Sequence, residues 1–368
     1  MVRNAASWRI TRLADERART HTHGFASTDA SASQLALSVH ERPGFATVIA
    51  GLGVRCAARP LSVSVPANAW GVALLNATLS AGLPIVSHPH GTAEVSPVRA
   101  DFDGGAVVGE WVRAPGVEPS GPALLYIHGG AFVACSPRTH RGLTSELSAQ
   151  SGLPVFAVEY RKAPRYRFPA ANDDAWRAYR WLSSRTGGGL VAIAGDSAGG
   201  YLAVATALAA TRGAGRGDCP PPAALLALSP LTDATLSLAR MRERGRLQED
   251  PFVSAAAATR IVGLYTAGAS AQEISLLDAD FRNFCPTMIH VGGTEMLLED
   301  ARALHTRVRA AGGASWLHIW PGQVHVFPAM FRFVPQARAA LSLSGAFLRD
   351  AISPEAARAA VHRPPDTG

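Results

Sequence analysis

Lysine is almost missing: Lys162 is the only one among 35 basic residues, so arginine carries the chain's positive charge. Against 28 acidic residues this leaves a net charge of +7 and a pI near 9.7, yet the basic residues are scattered without a run of five or more. Scattered charge is a solvated surface rather than a footprint for phosphates, so neither a nucleic-acid partner nor stable membrane association is expected. Cysteine is also scarce. Cys56, Cys135, Cys219 and Cys285 lie far apart with no CysXXCys pair, which signals neither a zinc site nor a disulfide framework. No stretch reaches the roughly 18 consecutive apolar residues that a transmembrane helix needs. Met1 to Thr20 is arginine-rich and lacks the apolar centre of a secretory signal, so the expected location is the cytoplasm.

What the chain has is apolar sequence in quantity. With 368 residues and 48% hydrophobic content it can bury a large core, and an α/β domain of this size with embellishments accounts for most of it. Residues 1–66 show no sustained period and include a Ser, Thr and Ala-rich stretch from Ala26 to Ser33. They read as an N-terminal extension, partly disordered or part of a cap. Ala67 to Leu79 predicts a helix, with a break at Leu83-Pro84. Two strands near Glu94–Ala100 and Ala106–Val112, joined by Asp103, Gly104 and Gly105, predict a hairpin. Apolar strands then alternate with helices: Ala123–Ile127, Thr139–Gln150, Val155–Val158, Ala170–Leu182, Leu190–Ala194 and a helix over Tyr201–Ala210. The alternation resumes with Ala223–Leu228, Thr287–Val291, Leu297–Ala311, Ser315–Ile319 and Gln336–Arg349. Such repetition implies a mostly parallel sheet covered by helices on both faces, with ligands at the carboxyl ends of the strands. Leu236 to Ala271, alanine-rich and helical, interrupts the pattern and reads as an insertion over that edge. The expected organisation is a catalytic domain over residues 67–352, cap elements at about 67–82 and 236–271, and a tail over 353–368.

Three segments carry chemistry, in a fixed order. Gly195, Asp196, Ser197, Ala198, Gly199 follow a short apolar strand and open a helix, the strand-turn-helix setting of a nucleophile elbow. Its ordinary reading is a glycine-rich turn, but two partners flank it. Upstream, His128, Gly129, Gly130 and Ala131 directly follow the strand Ala123–Ile127, as in an oxyanion loop. Glycines there let backbone N–H groups approach a developing negative charge. Downstream, His325 lies in a loop after Trp316–Trp320, where a general base is required. The acid that orients it is sought in the loop after Met288–Val291. Glu295 is the first acidic residue past that strand, with Asp300 as the main rival and Glu299 beside it, both one turn into a helix. His290 and His318 fall inside predicted strands and read as packed side chains. The pairs His21/His23 and His88/His90 lack a third ligand at suitable spacing, so no metal is expected.

HGGAF (128–132), YRKAP (160–164), FPAANDD (168–174), GDSAGG (195–200) and GQVHVF (322–327) together resemble the hormone-sensitive-lipase-like esterases of the α/β-hydrolase superfamily, over roughly Ala67 to Ile352. The VGGTEMLLED stretch is similar to the bacterial branch that includes short-chain carboxylesterases and monoterpene lactone hydrolases. The resemblance implies an α/β-hydrolase fold with a sheet of about eight strands and a helical cap. It makes Ser197 the nucleophile and His325 the base and acid. The oxyanion hole falls to Gly130, Ala131 and Ala198 as N–H donors, with Gly129 shaping the loop. The sequence departs from the family where Ala131 replaces a usual glycine, where Glu295 stands for a commoner aspartate, and where Lys162, Arg165, Tyr166 and Arg167 alter the YRKAP region. Asp173 and Asp174 read as partners of nearby arginines. The implied activity is hydrolysis of small to medium apolar carboxylic esters without a cofactor. Lactone hydrolysis by the same triad is the alternative, and a non-catalytic small-molecule receptor on the same fold is the rival from another class. The resemblance also admits a homodimer through the last strand or helix.

Overall fold

The computed structural model describes residues 37–39, 53, 59, 64–87, 91–186, 190–214, 219–245 and 250–353. The central runs of apolar residues become strands whose every residue is buried: β4 (Ala123–Ile127), β5 (Val155–Val158), β6 (Val191–Asp196), β7 (Leu225–Leu228) and β8 (Thr287–Gly292). Continuous apolar strands of this kind fit a sheet covered on both faces, because neither side meets water. β9 (Ser315–Trp320) continues the parallel set, while β2 (Glu94–Phe102) and β3 (Gly105–Arg113) form an antiparallel hairpin, and β3 pairs antiparallel to β5. Asp103 and Gly104, both at positive φ, make the two-residue turn of that hairpin.

The strands form one sheet in the order β1-β9-β8-β7-β6-β4-β5-β3-β2, where β1 is the three-residue strand Leu37–Val39. β1 pairs in parallel with β9. It adds a strand to the eight expected, from a region whose sequence carries no alternation long enough to signal one. Side chains along β4 alternate between two cores. Leu125 and Ile127 pack with α3 (Ala170–Arg185), α4 (Ala198–Ala214) and α8 (Leu298–Ala310) on one face. Leu124 and Tyr126 pack with α2 (Pro137–Ser151) and α9 (Pro335–Ala351) on the other.

α1 (Ala69–Val86) does not break at Leu83-Pro84 as the sequence suggests; it runs through Pro84 to a cap at Ser87, whose N–H donates to Leu83 O at 2.8 Å. Pro84 falls in the last turn, where its missing N–H removes a single ladder bond. The insertion between β7 and β8 is helical, as expected, and consists of α5 (Ser237–Arg244), α6 (Ala255–Thr266) and α7 (Ala271–Ile274) among the described residues. His21, His23, His88, His90, Cys56 and the 354–368 part of the tail lie outside the described residues. Among the described residues no helix is long and apolar enough to cross a membrane.

Candidate active site

Ser197, His325 and Glu295 meet at the carboxyl edge of the parallel strands. β6 ends at Asp196, α4 starts at Ala198, and Ser197 between them holds φ +54°. A side chain in that left-handed region costs free energy and persists only where the surroundings fix it. They do so here: the Ser197 N–H donates to Leu228 O at 3.0 Å and its carbonyl accepts from Leu231 N at 3.1 Å. The turn also excludes a Cβ at Gly199, which would lie 2.0 Å from Ile127 O, so the elbow presses directly on the end of β4.

Ser197 Oγ lies 2.9 Å from His325 Nε2, and His325 Nδ1 lies 2.5 Å from Glu295 Oε2. Glu295 is fully buried, and its other oxygen accepts from Ser229 Oγ at 2.7 Å and Gly292 N at 2.5 Å. Ser229 in turn accepts from Val326 N at 3.0 Å, which joins the loop carrying His325 to the carboxylate that faces it. Burial alone would push the His325 imidazole down. The hydrogen bond and charge of Glu295, with the charges of Asp250 and Asp196, hold it above its ordinary value.

Asp300, the rival acid, points elsewhere. Its Oδ1 accepts from Thr232 N, Thr232 Oγ1 and Asp233 N at 2.9, 3.0 and 3.1 Å, tying α8 to the segment after β7. Burial pushes its carboxyl up to about 7 against those hydrogen bonds. Glu299 pairs with Arg242 and Arg302, each at 3.0 Å. Asp174 is held between Arg161 at 2.8 Å and Arg177 at 2.9 Å, the arginine partnership the sequence suggests.

The loop after β4 turns through Gly130 (φ +112°), Ala131 (φ +53°) and Phe132 (φ +62°). Gly129 N donates to Asp196 Oδ1 at 3.0 Å, so this amide is committed to the loop and cannot serve an incoming oxyanion. Among the described residues no acceptor is bonded to the N–H of Gly130, Ala131 or Ala198. Phe132 is buried, stacked 4.4 Å from Tyr265 of α6 and edge-on to Tyr201 of α4 at 5.5 Å. His128 stacks on Tyr160 at 4.3 Å, and its Nδ1 lies 2.7 Å from Gly129 O. Burial, with the charges of Lys162 and His140, drives the His128 imidazole well below its ordinary value, so it stays neutral and structural.

Four further groups, Asp196, Ser229, His140 and Asp250, shape the site. Asp196 accepts from Tyr126 Oη at 2.6 Å and faces His140 Nε2 at 3.4 Å as well as holding Gly129, so it links the elbow to the neighbouring loop. Burial raises its carboxyl, but the charge and hydrogen bond of His140 and the Tyr126 hydroxyl outweigh this and hold it below the usual carboxylate value. Asp196 stands inside GDSAGG and Ser229 at the end of β7, so both positions were visible. His140 and Asp250 carry no sequence signal of their own. His290 and His318 stack at 4.9 Å inside β8 and β9, as packed strand residues. Among the described residues no cluster of three or more His, Cys, Asp or Glu could hold a metal ion.

A model of the alpha/beta hydrolase fold matches residues 124–329. A carboxylesterase/phospholipase of Mycobacterium tuberculosis, LipF, is 36% identical over 267 residues, covering 68% of this chain and 69% of that protein. An acetyl-hydrolase of Streptomyces hygroscopicus is 38% identical over 250 residues, covering 67% and 81%. Among solved structures, an esterase from the bacterial hormone-sensitive lipase family superposes with a TM-score of 0.71 at 32% identity, over 83% of this chain and 98% of that one.

Proposed function

The chain belongs to the α/β-hydrolase family, in its hormone-sensitive-lipase-like branch, and is a carboxylic ester hydrolase; from that premise we propose that it cleaves small to medium apolar esters through an acyl-enzyme on Ser197. The observation that carries this reading is the unbroken relay from Ser197 Oγ through His325 to Glu295. In the first half-reaction Ser197 Oγ attacks the ester carbonyl as His325 Nε2 takes its proton. The oxygen that becomes negative points to the N–H groups of Gly130, Ala131 and Ala198, whose lack of internal acceptors supports that role. Imidazolium is stabilised by Glu295, which also fixes the tautomer by accepting from Nδ1. His325 then protonates the leaving alkoxide. In the second half-reaction it deprotonates water, which attacks the acyl carbonyl and releases the acid and Ser197.

A small acyl group is favoured by the likeness to the acetyl-hydrolase relative. Ser197→Ala is expected to remove hydrolysis of p-nitrophenyl acetate and butyrate while the melting transition stays cooperative. Labelling by a fluorophosphonate should disappear with it. A variant that still turns over ester would sink the serine mechanism, and a wild-type protein inert to both reagents would favour a receptor.

A further inference from the structure

The insertion grips the turn that carries Glu295 from both sides. On one side Arg242 of α5, buried to 7% side-chain exposure, donates to Gly293 O at 3.1 Å and to Glu299 Oε1 at 3.0 Å. On the other side Asp250, with no exposed surface, accepts from Met296 N at 2.8 Å. Gly293 and Met296 bracket Thr294 and Glu295.

The other oxygen of Asp250 accepts from Phe252 N at 2.6 Å and Val253 N at 3.2 Å. Those two local contacts make a turn that an asparagine would serve as well. The bond to Met296 crosses 46 positions of sequence and is not local. Every one of these contacts is an N–H donor, which favours the ionised carboxylate, while burial pulls the other way and raises its carboxyl above the ordinary value. Burying a charge is costly unless something nearby compensates. What lies nearby is His325: Phe252, two residues on, faces its ring at 6.2 Å, and Glu295, next to Met296, bonds its Nδ1.

We propose that Asp250 is a positioning residue of the active site, whose carboxylate anchors the Glu295 turn through Met296 and adds a second buried negative charge behind the His325 imidazolium. The insertion is then part of the catalytic apparatus. This rests on the serine-hydrolase reading above. The charged groups facing His325 are Glu295 from the turn after β8, Asp250 from the insertion and Asp196 from the elbow, and all three favour the protonated ring. Around Asp250 the facing groups are His325 and Glu295, while Arg59 donates to its backbone carbonyl.

The test is the pH profile of kcat/KM for p-nitrophenyl acetate. In Asp250→Asn the midpoint of the acidic limb should drop by about half a unit or more, and kcat on the plateau should fall roughly tenfold with KM within twofold. Arg242→Gln, which loosens the turn but leaves the Asp250 carboxylate in place, should lower kcat and leave the midpoint near its wild-type position. An Asp250→Asn enzyme with the wild-type midpoint and plateau overturns the proposal. Should that variant fail to fold, Asp250→Glu decides. Its longer arm must displace the Met296 contact while the charge stays, so a lower kcat at a midpoint close to wild type supports the anchoring role, and a profile identical to wild type overturns it. Neither result touches the nucleophile assignment, which stands or falls with Ser197→Ala.

Discussion

Two buried carboxylates five residues apart differ in what their oxygens meet, and that difference decides their chemistry. Glu295 gives one oxygen to His325 and the other to Ser229 and Gly292, so it can pass the effect of its charge to the imidazole. Asp300 spends one oxygen on three donors after β7 and lies with no exposed surface. Glu295→Gln is therefore expected to lower kcat by about 10³ to 10⁴, because the amide cannot hold the tautomer or balance the imidazolium. Asp300→Asn should keep ester turnover within a few-fold of wild type. A reversal of these two losses in a p-nitrophenyl butyrate assay would move the acid to Asp300. Asp300→Asn has a second consequence. The folded Asp300 takes up its proton near pH 7 and the unfolded one near 4, so its contribution to stability is complete below about 4 and is lost as pH rises to about 7. The melting temperature of the variant should thus improve relative to wild type between pH 5 and pH 8.

At the scale of elements, two loops are locked to each other, the elbow after β6 and the turn after β4. Asp196 is the lock, since one oxygen holds both Gly129 N and Tyr126 Oη. Asp196→Asn keeps an acceptor but loses the charge that faces His140, and the Gly130 and Ala131 amides should drift from their aim. A tenfold or greater fall in kcat with little change in KM is expected, read by steady-state kinetics on p-nitrophenyl acetate. A raised KM at constant kcat would instead make Asp196 a determinant of substrate binding. Most of these elements were legible beforehand, because buried parallel strands are continuous apolar runs and the elbow needs small residues at Gly195 and Gly199. The places of Ser197 and His325 followed from the motif order, whereas the choice between Glu295 and Asp300 was open until their hydrogen-bond partners were known. Contacts between distant segments were not. Nothing near Asp250 announces a bond to Met296, and Pro84 reads as a break unless its place in a last turn is known. β1 is too short to show a period, and it owes its place to pairing with β9.

For the whole molecule, the pH at which it is most stable and the pH at which it works best should separate. His325 is held above its ordinary value, so the stability it contributes is present below about 6.5 and is lost as pH rises through its folded value. Asp300 has the same sign, with its loss spread up to about 7. His128 and His305 are shifted down by burial and have the opposite sign. Their contribution is complete above about 6.5 and shrinks as pH falls below that. On the acid side of 6.5 the two sets oppose each other, whereas on the alkaline side only the losses remain. Melting temperature should therefore decline from about pH 6.5 toward pH 8.5. Under the proposed mechanism ester turnover runs the other way, because Ser197 would be activated only by neutral imidazole, and kcat/KM should climb through a midpoint above 6.5. Melting curves and initial rates on the same samples at half-unit steps of pH would check both trends. A melting temperature that rises with activity across pH 6.5 to 8.5 would mean that His325 is not held protonated by the carboxylates around it.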